Sequence, residues 1–270
     1  MDATVAEHAP ELGRLARELV GDDPFALAGE GTAYAQPAIL CAGLAAWAGA
    51  GSPAADVYAG HSLGELTALV AAGRIGPEDG VRLAVERGRL MQAAAERSPG
   101  GMVALLGDAE TARRVAGESG LRIANDNGPT QLVAAGPTPA VAAAVPAAKA
   151  AGIRAIELAV AGAFHTAALD GAVGPYREAL ARVDVRGSNA PVFSSATAEP
   201  FPADADGVRG RLAGALTAPV RWRETMDAIR AVGVDRFVEA GPGKALTGMV
   251  KRALNGVEAT VLRPRETARA

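Results

Sequence analysis

The residues most able to do chemistry lie in a G-x-S-x-G pentapeptide at positions 60–64, with Ser62 at its centre. An apolar run precedes the pentapeptide, and residues 66–72 predict a helix after it. A serine with this spacing of glycines between a strand and a helix is typical of a nucleophile elbow. We expect Gly60 and Gly64 both to be needed because so sharp a turn leaves no room for Cβ atoms. The helix after the serine directs free N–H groups at the same point, which would stabilise an oxyanion. The alternative is an ordinary Gly/Ser-rich turn, since the chain contains 33 glycines.

A serine nucleophile needs a base, and the chain has three histidines. His8 lies in a polar N-terminal stretch. His61 directly precedes the serine, so its side chain should point to the other side of the turn. By elimination His165 is the candidate general base. A lone histidine in a loop is more often structural, and that alternative stays open here.

Arg87 is an anomaly on an otherwise regular amphipathic helix. Residues 77–96 predict a helix, and at about 100° per residue their apolar side chains form one continuous arc. Arg87 falls in the middle of this arc, and Gln92 also falls within it. A buried guanidinium is costly unless an anion meets it, and that anion is either an internal carboxylate or a substrate. Snorkelling to solvent is a third possibility. Gln36, which precedes Pro37, is interpreted either as a solvated helix end or as a residue that lines a site, with the first favoured.

The composition limits the classes of function. Of the 270 residues, 49% are hydrophobic and the formal net charge is −3, without basic blocks, so nothing favours binding to nucleic acid or to a membrane surface. The single cysteine, Cys41, lies in an apolar run and predicts a buried structural thiol. The sequence shows neither an uninterrupted 18-residue apolar span nor a signal peptide, and we therefore expect a cytoplasmic protein. We expect no metal site and no bound cofactor.

The order of predicted elements indicates two units. Residues 1–20 predict one helix, Pro37–Ala48 a second with Pro37 in its first turn, and residues 236–239 a buried strand. Residues 100–160 predict the order βαββαβ, the ferredoxin-like pattern. We expect this segment to be a small subdomain inserted into a large α/β domain formed by residues 1–99 and 161–270, with a cleft between the two.

With these motifs in place, the chain resembles the malonyl-CoA:acyl-carrier-protein transacylases, a family shared by fatty-acid synthesis and polyketide acyltransferase domains. The resemblance runs from about Thr32 to Arg252. Its motifs, each weak alone and specific together, are Gln36-Pro37-Ala38, residues 60–65, Arg87-Gly88 with Met91-Gln92, residues 162–165, Pro219–Trp222 and Gly241–Lys244. The resemblance implies an α/β-hydrolase-like large domain with a parallel sheet and an inserted ferredoxin-like subdomain.

The resemblance also implies roles for the catalytic residues. Ser62 would carry malonyl as an ester, and His165 would take the serine proton and later return it to the departing thiol. A main-chain carbonyl near Ala215 and Leu216 would orient the histidine. Arg87 would form a bidentate pair with the malonyl carboxylate, which would disfavour acetyl-CoA.

Further residues and partners follow from the same resemblance. The N–H of Leu63 would serve the oxyanion, Gln36 would help to bind substrate, and Phe164 would disfavour a methyl-branched substrate. Asn125 and Asn127 lie where the family lines its cleft. The implied partners are malonyl-CoA and an acyl carrier protein with its phosphopantetheine, and the implied oligomeric state is a monomer.

The sequence departs from the family at its start. Relatives begin with a strand that ends in Gly-Gln-Gly-(Ser/Ala)-Gln and supplies a second oxyanion N–H, whereas residues 1–20 resemble the helices that follow that strand. We therefore expect an open position in the central sheet and an incomplete oxyanion site, a loss typically worth about 10²–10³ in rate. A smaller departure is Ser195-Ala196, where asparagine is common in the family.

Two alternatives to the transferase remain open. One is a serine esterase or thioesterase of the α/β-hydrolase type, which would want an acid between serine and histidine in chain order and leaves Arg87 without a role. The other is a catalytically impaired relative that still binds a carrier protein.

Overall fold

A computed structural model describes residues 1–160 and 162–263. Its helices are α1 Asp2–His8, α2 Pro10–Val20, α3 Thr32–Gly49, α4 Gly64–Ala71, α5 Pro77–Arg97, α6 Ala109–Glu118, α7 Thr138–Ala150, α8 Asp170–Ala181, α9 Ala205–Gly214, α10 Trp222–Ala231 and α11 Ala245–Ala253. Its strands are β1 Tyr58–Gly60, β2 Gly100–Leu106, β3 Arg122–Gly128, β4 Gln131–Pro137, β5 Arg154–Glu157, β6 Val192–Ser194, β7 Arg236–Glu239 and β8 Glu258–Val261. None of the described helices is long and apolar enough to cross a membrane.

The parallel strands of the large α/β part form two separate pairs, β1 with β6 and β7 with β8. Ala59 of β1 and Phe237 of β7 pack against the same hydrophobic cluster, but no strand pairing joins the two pairs among the described residues. β1 and β7 thus each keep one edge without a described partner strand. The prediction that residues 236–239 form a buried strand is wrong, since Val238 is 44% exposed. The reason is that Phe237 packs against the hydrophobic cluster, whereas Val238 points to the opposite face of the strand.

The antiparallel strands form a four-stranded sheet in the order β3-β4-β2-β5, which is the predicted ferredoxin-like arrangement. Successive β2 side chains point to opposite faces. Val103 and Leu105 pack with α6 and α7, whereas Met102 and Ala104 pack with Ala163 of the large part. β5 ends at Glu157, three residues before the end of the segment 100–160 for which the sequence predicted this order. On these grounds we propose that residues 100–160 are a subdomain inserted between residues 1–99 and 161–270.

A backbone junction and a buried carboxylate tie this sheet to the large part. The N–H of Val220 donates to the carbonyl of Ala124, and the N–H of Asp126 donates to the carbonyl of Val220, both at 2.8 Å. The Asp126 side chain accepts from Arg223 of α10 and from Arg113 of α6, each at 2.9 Å. β3 is therefore held beside the chain that leads into α10.

The N-terminal helices differ from the prediction in two ways. Residues 1–20 form two helices and not one, because Pro10 occupies the first turn of α2 and the chain breaks at Ala9. Pro37 lies inside α3 and not in its first turn, because α3 begins at Thr32. Gln92 of α5 accepts a hydrogen bond from the Thr32 N–H at 3.2 Å, which satisfies one of the free donors of that earlier start.

Cys41 is the buried structural thiol that the sequence predicted. It lies in α3 with no exposed surface, in the core that α3 and α5 share with the helices around them. Burial raises the pKa of its thiol to about 12. The thiol therefore stays protonated at neutral pH.

Candidate active site

The turn between β1 and α4 holds Ser62 in a left-handed conformation, with φ of 53°. A Cβ on Gly60 would lie 1.9 Å from the carbonyl carbon and oxygen of Gly64, so only glycine fits at position 60. A Cβ on Gly64 would meet nothing within 4 Å, and the prediction that both glycines are needed for space is wrong at this position. Gly64 is the first residue of α4, where the backbone has already left the turn.

His165 lies beside the serine and is oriented by two carbonyl groups. The distance from Ser62 Oγ to His165 Nε2 is 2.8 Å, and Nδ1 lies 3.0 Å from the carbonyl oxygens of both Ala215 and Ala218. Carbonyls only accept hydrogen bonds, so Nδ1 carries the proton and Nε2 presents a lone pair to the serine hydroxyl. The sequence placed the orienting carbonyls at Ala215 and Leu216. The first is found, but the second belongs to Ala218.

The free carbonyls come from the end of α9. This helix ends at Gly214 with Ala215 as its cap, and the last carbonyls of a helix have no partner within it. The chain then turns, with the Ala218 N–H bonded back to Gly214, while Leu216 is buried in the core. The turn therefore presents positions 215 and 218, and not 216, to the imidazole.

Burial determines the charge state of His165. His165 is only 6% exposed. This burial lowers the pKa of its imidazole to about 3, and the charges of Arg87 and His61 contribute smaller shifts in the same direction. The imidazole is neutral at pH 7 and can accept a proton from Ser62. This is the protonation state that a general base requires.

Arg87 reaches the same serine from α5. The residue is 5% exposed, and its guanidinium donates from Nη1 to Gln36 Oε1 at 2.7 Å and from Nη2 to Ser62 Oγ at 3.1 Å. It forms no ion pair with a carboxylate of the described residues. Neither snorkelling nor an internal ion pair therefore accounts for Arg87. Since a guanidinium has five donors, it retains the capacity to bind an anion next to Ser62.

Gln36 positions the guanidinium. The residue is 5% exposed, so the interpretation of Gln36 as a solvated helix end is wrong. Its amide donates to Thr32 Oγ1 at 2.8 Å and to Met91 Sδ at 3.2 Å, which leaves its oxygen directed at Arg87. α3 starts early enough to place Gln36 one turn inside the helix, opposite α5.

Only one oxyanion donor is available at the elbow. The Leu63 N–H makes no hydrogen bond within residues 1–160 and 162–263, and it lies at the N-terminus of α4. The Ser62 N–H is not free, because it donates to Ser195 Oγ at 3.2 Å. The geometry thus agrees with the expectation of a single donor, Leu63, from this part of the chain.

A buried carboxylate, Glu65, lies behind the elbow, and no role for it was predicted from the sequence. Glu65 is 1% exposed, and its Oε1 accepts hydrogen bonds from Ser194 Oγ at 2.8 Å, from the Ser195 N–H at 2.6 Å and from Ser195 Oγ at 3.1 Å. Its position could have indicated burial, because Glu65 is the only charged residue of α4, whose sequence is GELTALVA. Burial raises the pKa of Glu65, and the hydrogen bonds from the two serines oppose that rise.

The remaining candidates surround this centre. His61 Nε2 lies 2.8 Å from Asn127 Oδ1, so the ring turns away to the subdomain, as expected. Asn125 Oδ1 is buried without a hydrogen-bond partner among the described residues. The ring of Phe164 packs over Gly162, where a Cβ would lie 2.6 Å from it. In the described part of the chain, no group of three or more His, Cys, Asp or Glu residues could hold a metal ion.

The chain is similar to known acyl transferases in sequence and in structure. Residues 28–266 match the model of the acyl transferase domain family. The polyketide biosynthesis protein ThaF of Burkholderia thailandensis is 36% identical over 94% of this chain, which spans only 23% of that relative's length.

Solved structures are also similar. The malonyl-CoA:acyl carrier protein transacylase of Xanthomonas oryzae pv. oryzae superposes with a TM-score of 0.87 at 35% identity, covering 94% of this chain and 86% of that one. A malonyl-transacylase in complex with its type II polyketide-synthase acyl carrier protein gives a TM-score of 0.85 at 34% identity, covering 94% and 87%. Motifs, site geometry and fold agree with the family match, and the chain belongs to the acyl transferase domain family.

Proposed function

We propose that the protein transfers malonyl from malonyl-CoA to the phosphopantetheine thiol of an acyl carrier protein through a malonyl ester on Ser62. The observation that carries this proposal is the position of Ser62 Oγ, within hydrogen-bond distance of both a neutral histidine and an arginine that has no carboxylate partner among the described residues. The similarity to a transacylase solved with its carrier protein supports the choice of acceptor.

The first half-reaction forms the ester. His165 Nε2 takes the proton of Ser62 as Oγ attacks the thioester carbonyl, and the Leu63 N–H stabilises the resulting oxyanion. The intermediate then breaks its C–S bond, and the imidazolium gives its proton to the departing CoA thiolate. Since burial disfavours the imidazolium, this proton return is favourable.

The second half-reaction uses the same groups in reverse. His165 takes the proton of the phosphopantetheine thiol, the thiolate attacks the ester carbonyl, and the proton returns to Ser62 Oγ as the C–O bond breaks. The carbonyls of Ala215 and Ala218 stabilise the imidazolium in both halves through the Nδ1 proton. Only the two substrates are converted, and Ser62 and His165 return to their starting states.

Arg87 would select the acyl group. A bidentate pair between its guanidinium and the malonyl carboxylate holds the thioester next to Ser62, and Gln36 fixes the direction of the guanidinium. An acetyl group leaves the buried charge unpaired and is disfavoured. We also propose that Phe164 limits methyl-branched substrates, and that the protein acts as a monomer in the cytoplasm.

The experiment that tests this function separates transfer from hydrolysis. The protein is mixed with malonyl-CoA and holo acyl carrier protein, and malonyl-carrier and free malonate are both quantified. We expect malonyl-carrier to form, and the Ser62→Ala variant to form none. Release of malonate without malonyl-carrier would favour a thioesterase instead, and carrier binding with neither product would favour a non-catalytic relative.

A further inference from the structure

We propose that Glu65 and Ser195 are positioning residues that hold the main chain of Ser62 in its reactive conformation. The proposal rests on the proposed role of Ser62 as nucleophile. Ser62 has a positive φ, and a serine keeps such a conformation only where its surroundings fix it. Gly60 permits the turn sterically, and within the turn the carbonyl of Ser62 accepts from the Glu65 N–H at 3.1 Å, which leaves the Ser62 N–H to be held from outside.

The contact that fixes Ser62 comes from the neighbouring strand. β1 and β6 pair in parallel as far as Gly60 with Ser194, and Ser195 is the next residue of the β6 chain. The Ser62 N–H donates to Ser195 Oγ at 3.2 Å. The pairing of β1 with β6 ends at Gly60 and Ser194. Beyond that point, the Ser195 hydroxyl provides the next connection between the two segments, and it does so at Ser62.

The direction of these hydrogen bonds is determined by Glu65. Glu65 Oε1 accepts from the Ser195 N–H at 2.6 Å, so this oxygen is an acceptor, and the single proton of the Ser195 hydroxyl goes to it at 3.1 Å. This leaves an Oγ lone pair for the Ser62 N–H. The Ser62 N–H therefore donates to the Ser195 hydroxyl, and the Ser195 hydroxyl donates to Glu65.

Glu65 is itself held in place. Its Oε1 also accepts from Ser194 Oγ and from the Ser195 N–H, and it lies in the first turn of α4, where the helix dipole stabilises a negative charge. The carbonyl of Ser195 accepts from the Arg221 N–H at 2.6 Å. The Ser195 backbone is therefore anchored on both sides, and loss of its hydroxyl alone removes the contact to Ser62.

The chain provides a matched control for this contact. Ser194 and Ser195 are both 1% exposed or less, and both hydroxyls donate to Glu65 Oε1, but only Ser195 contacts Ser62. Replacing either serine by alanine removes one buried hydroxyl and one hydrogen bond to Glu65. A role that is merely structural should therefore affect the two variants alike.

The test compares Ser195→Ala with Ser194→Ala in single-turnover acylation by malonyl-CoA, with the folded fraction of each measured by thermal unfolding. We expect Ser195→Ala to lower the saturating acylation rate by about tenfold or more, and to leave the half-saturating concentration unchanged. Ser194→Ala should keep the rate within about threefold. Ser195→Thr, which restores the hydroxyl, should recover much of the loss.

Equal rates in the two folded alanine variants would overturn the proposal. If Ser195→Ala does not fold, Glu65→Gln replaces it, since this change keeps both serine hydroxyls and one acceptor oxygen but replaces the other oxygen by an N–H donor. The saturating rate should again fall without a change in half-saturation, and an unchanged rate would again refute the inference. If the unmodified protein forms no malonyl ester at all, the proposed function fails first, and a neutral fluorophosphonate that labels Ser62 then replaces malonyl-CoA in the same comparison.

Discussion

Replacement of Arg87 by alanine should convert a malonyl-selective protein into an unselective one. Arg87 is 5% exposed and its guanidinium forms two hydrogen bonds, both to uncharged groups, so a malonyl carboxylate would be the first anion in direct contact with it among the groups described. Removing one member of a buried, hydrogen-bonded charge pair costs about 2–5 kcal/mol. At tenfold per 1.4 kcal/mol, kcat/KM for malonyl-CoA should fall by about 30- to 4000-fold.

Acetyl-CoA should respond differently to the same change. It offers no carboxylate, and alanine removes the charge that acetyl would leave buried and unpaired, so kcat/KM for acetyl-CoA should stay level or rise by up to about tenfold. Arg87 also donates to Ser62 Oγ, and loss of that bond changes the nucleophile for both substrates. The ratio of the two kcat/KM values cancels this common effect and isolates the contact with the carboxylate.

The assay measures transfer from malonyl-CoA and from acetyl-CoA to one holo carrier protein, for the unmodified protein, Arg87→Ala and Arg87→Lys. The ratio should fall by at least about 30-fold in Arg87→Ala. It should take an intermediate value in Arg87→Lys, which keeps the charge but not the two-point geometry. A malonyl-to-acetyl ratio that is unchanged in folded Arg87→Ala would refute the carboxylate role.

Three further predictions follow from the same geometry. Gly60→Ala should abolish acylation or prevent folding, because the new Cβ would lie 1.9 Å from the backbone of Gly64, whereas Gly64→Ala should fold with unchanged or slightly higher thermal stability. A Gly60→Ala variant that folds and is acylated at the unmodified rate would contradict this. The acylation rate should stay flat as the pH falls through about 6.5, the usual histidine pKa, because burial lowers the pKa of His165 to about 3 and the base stays unprotonated. A rate that instead declines tenfold per pH unit below that point would show a solvated histidine. Asp126→Asn should lower the free energy of unfolding in urea by about 1–3 kcal/mol, because the carboxylate that accepts hydrogen bonds from Arg113 and Arg223 is replaced by a neutral amide. No change in the unfolding midpoint would mean that this junction carries no net stability.

The sequence was sufficient to select three residues, Ser62, His165 and Arg87, that the structure brings together at the candidate site. The elbow is a local pattern of five residues, and Arg87 stood out because the rest of its helix follows a regular apolar period. His165 was reached by elimination among three histidines, and the structure places its ring 2.8 Å from Ser62 Oγ. These inferences depend on periodicity and on residue chemistry, which are readable without knowing how distant segments pack.

The contacts that orient the reactive groups could not be predicted in this way. Gln36 meets Arg87 across 51 residues, and the chain folds Ser195 against Ser62 across 133 residues. Ala218 takes the role expected of Leu216 because of the turn that follows α9. Residue type does not mark Gln36, Ser195 or Ala218 as functional, and each acquires its contact from the tertiary packing of two elements.

The measurement that tests the central claim most directly is the intact mass of the protein after brief exposure to malonyl-CoA, with and without holo carrier protein. We expect a mass gain of one malonyl group that maps to Ser62 and disappears when carrier is added, with malonyl appearing on the carrier. A folded protein that gains no mass, or a gain that persists in Ser62→Ala, would contradict it.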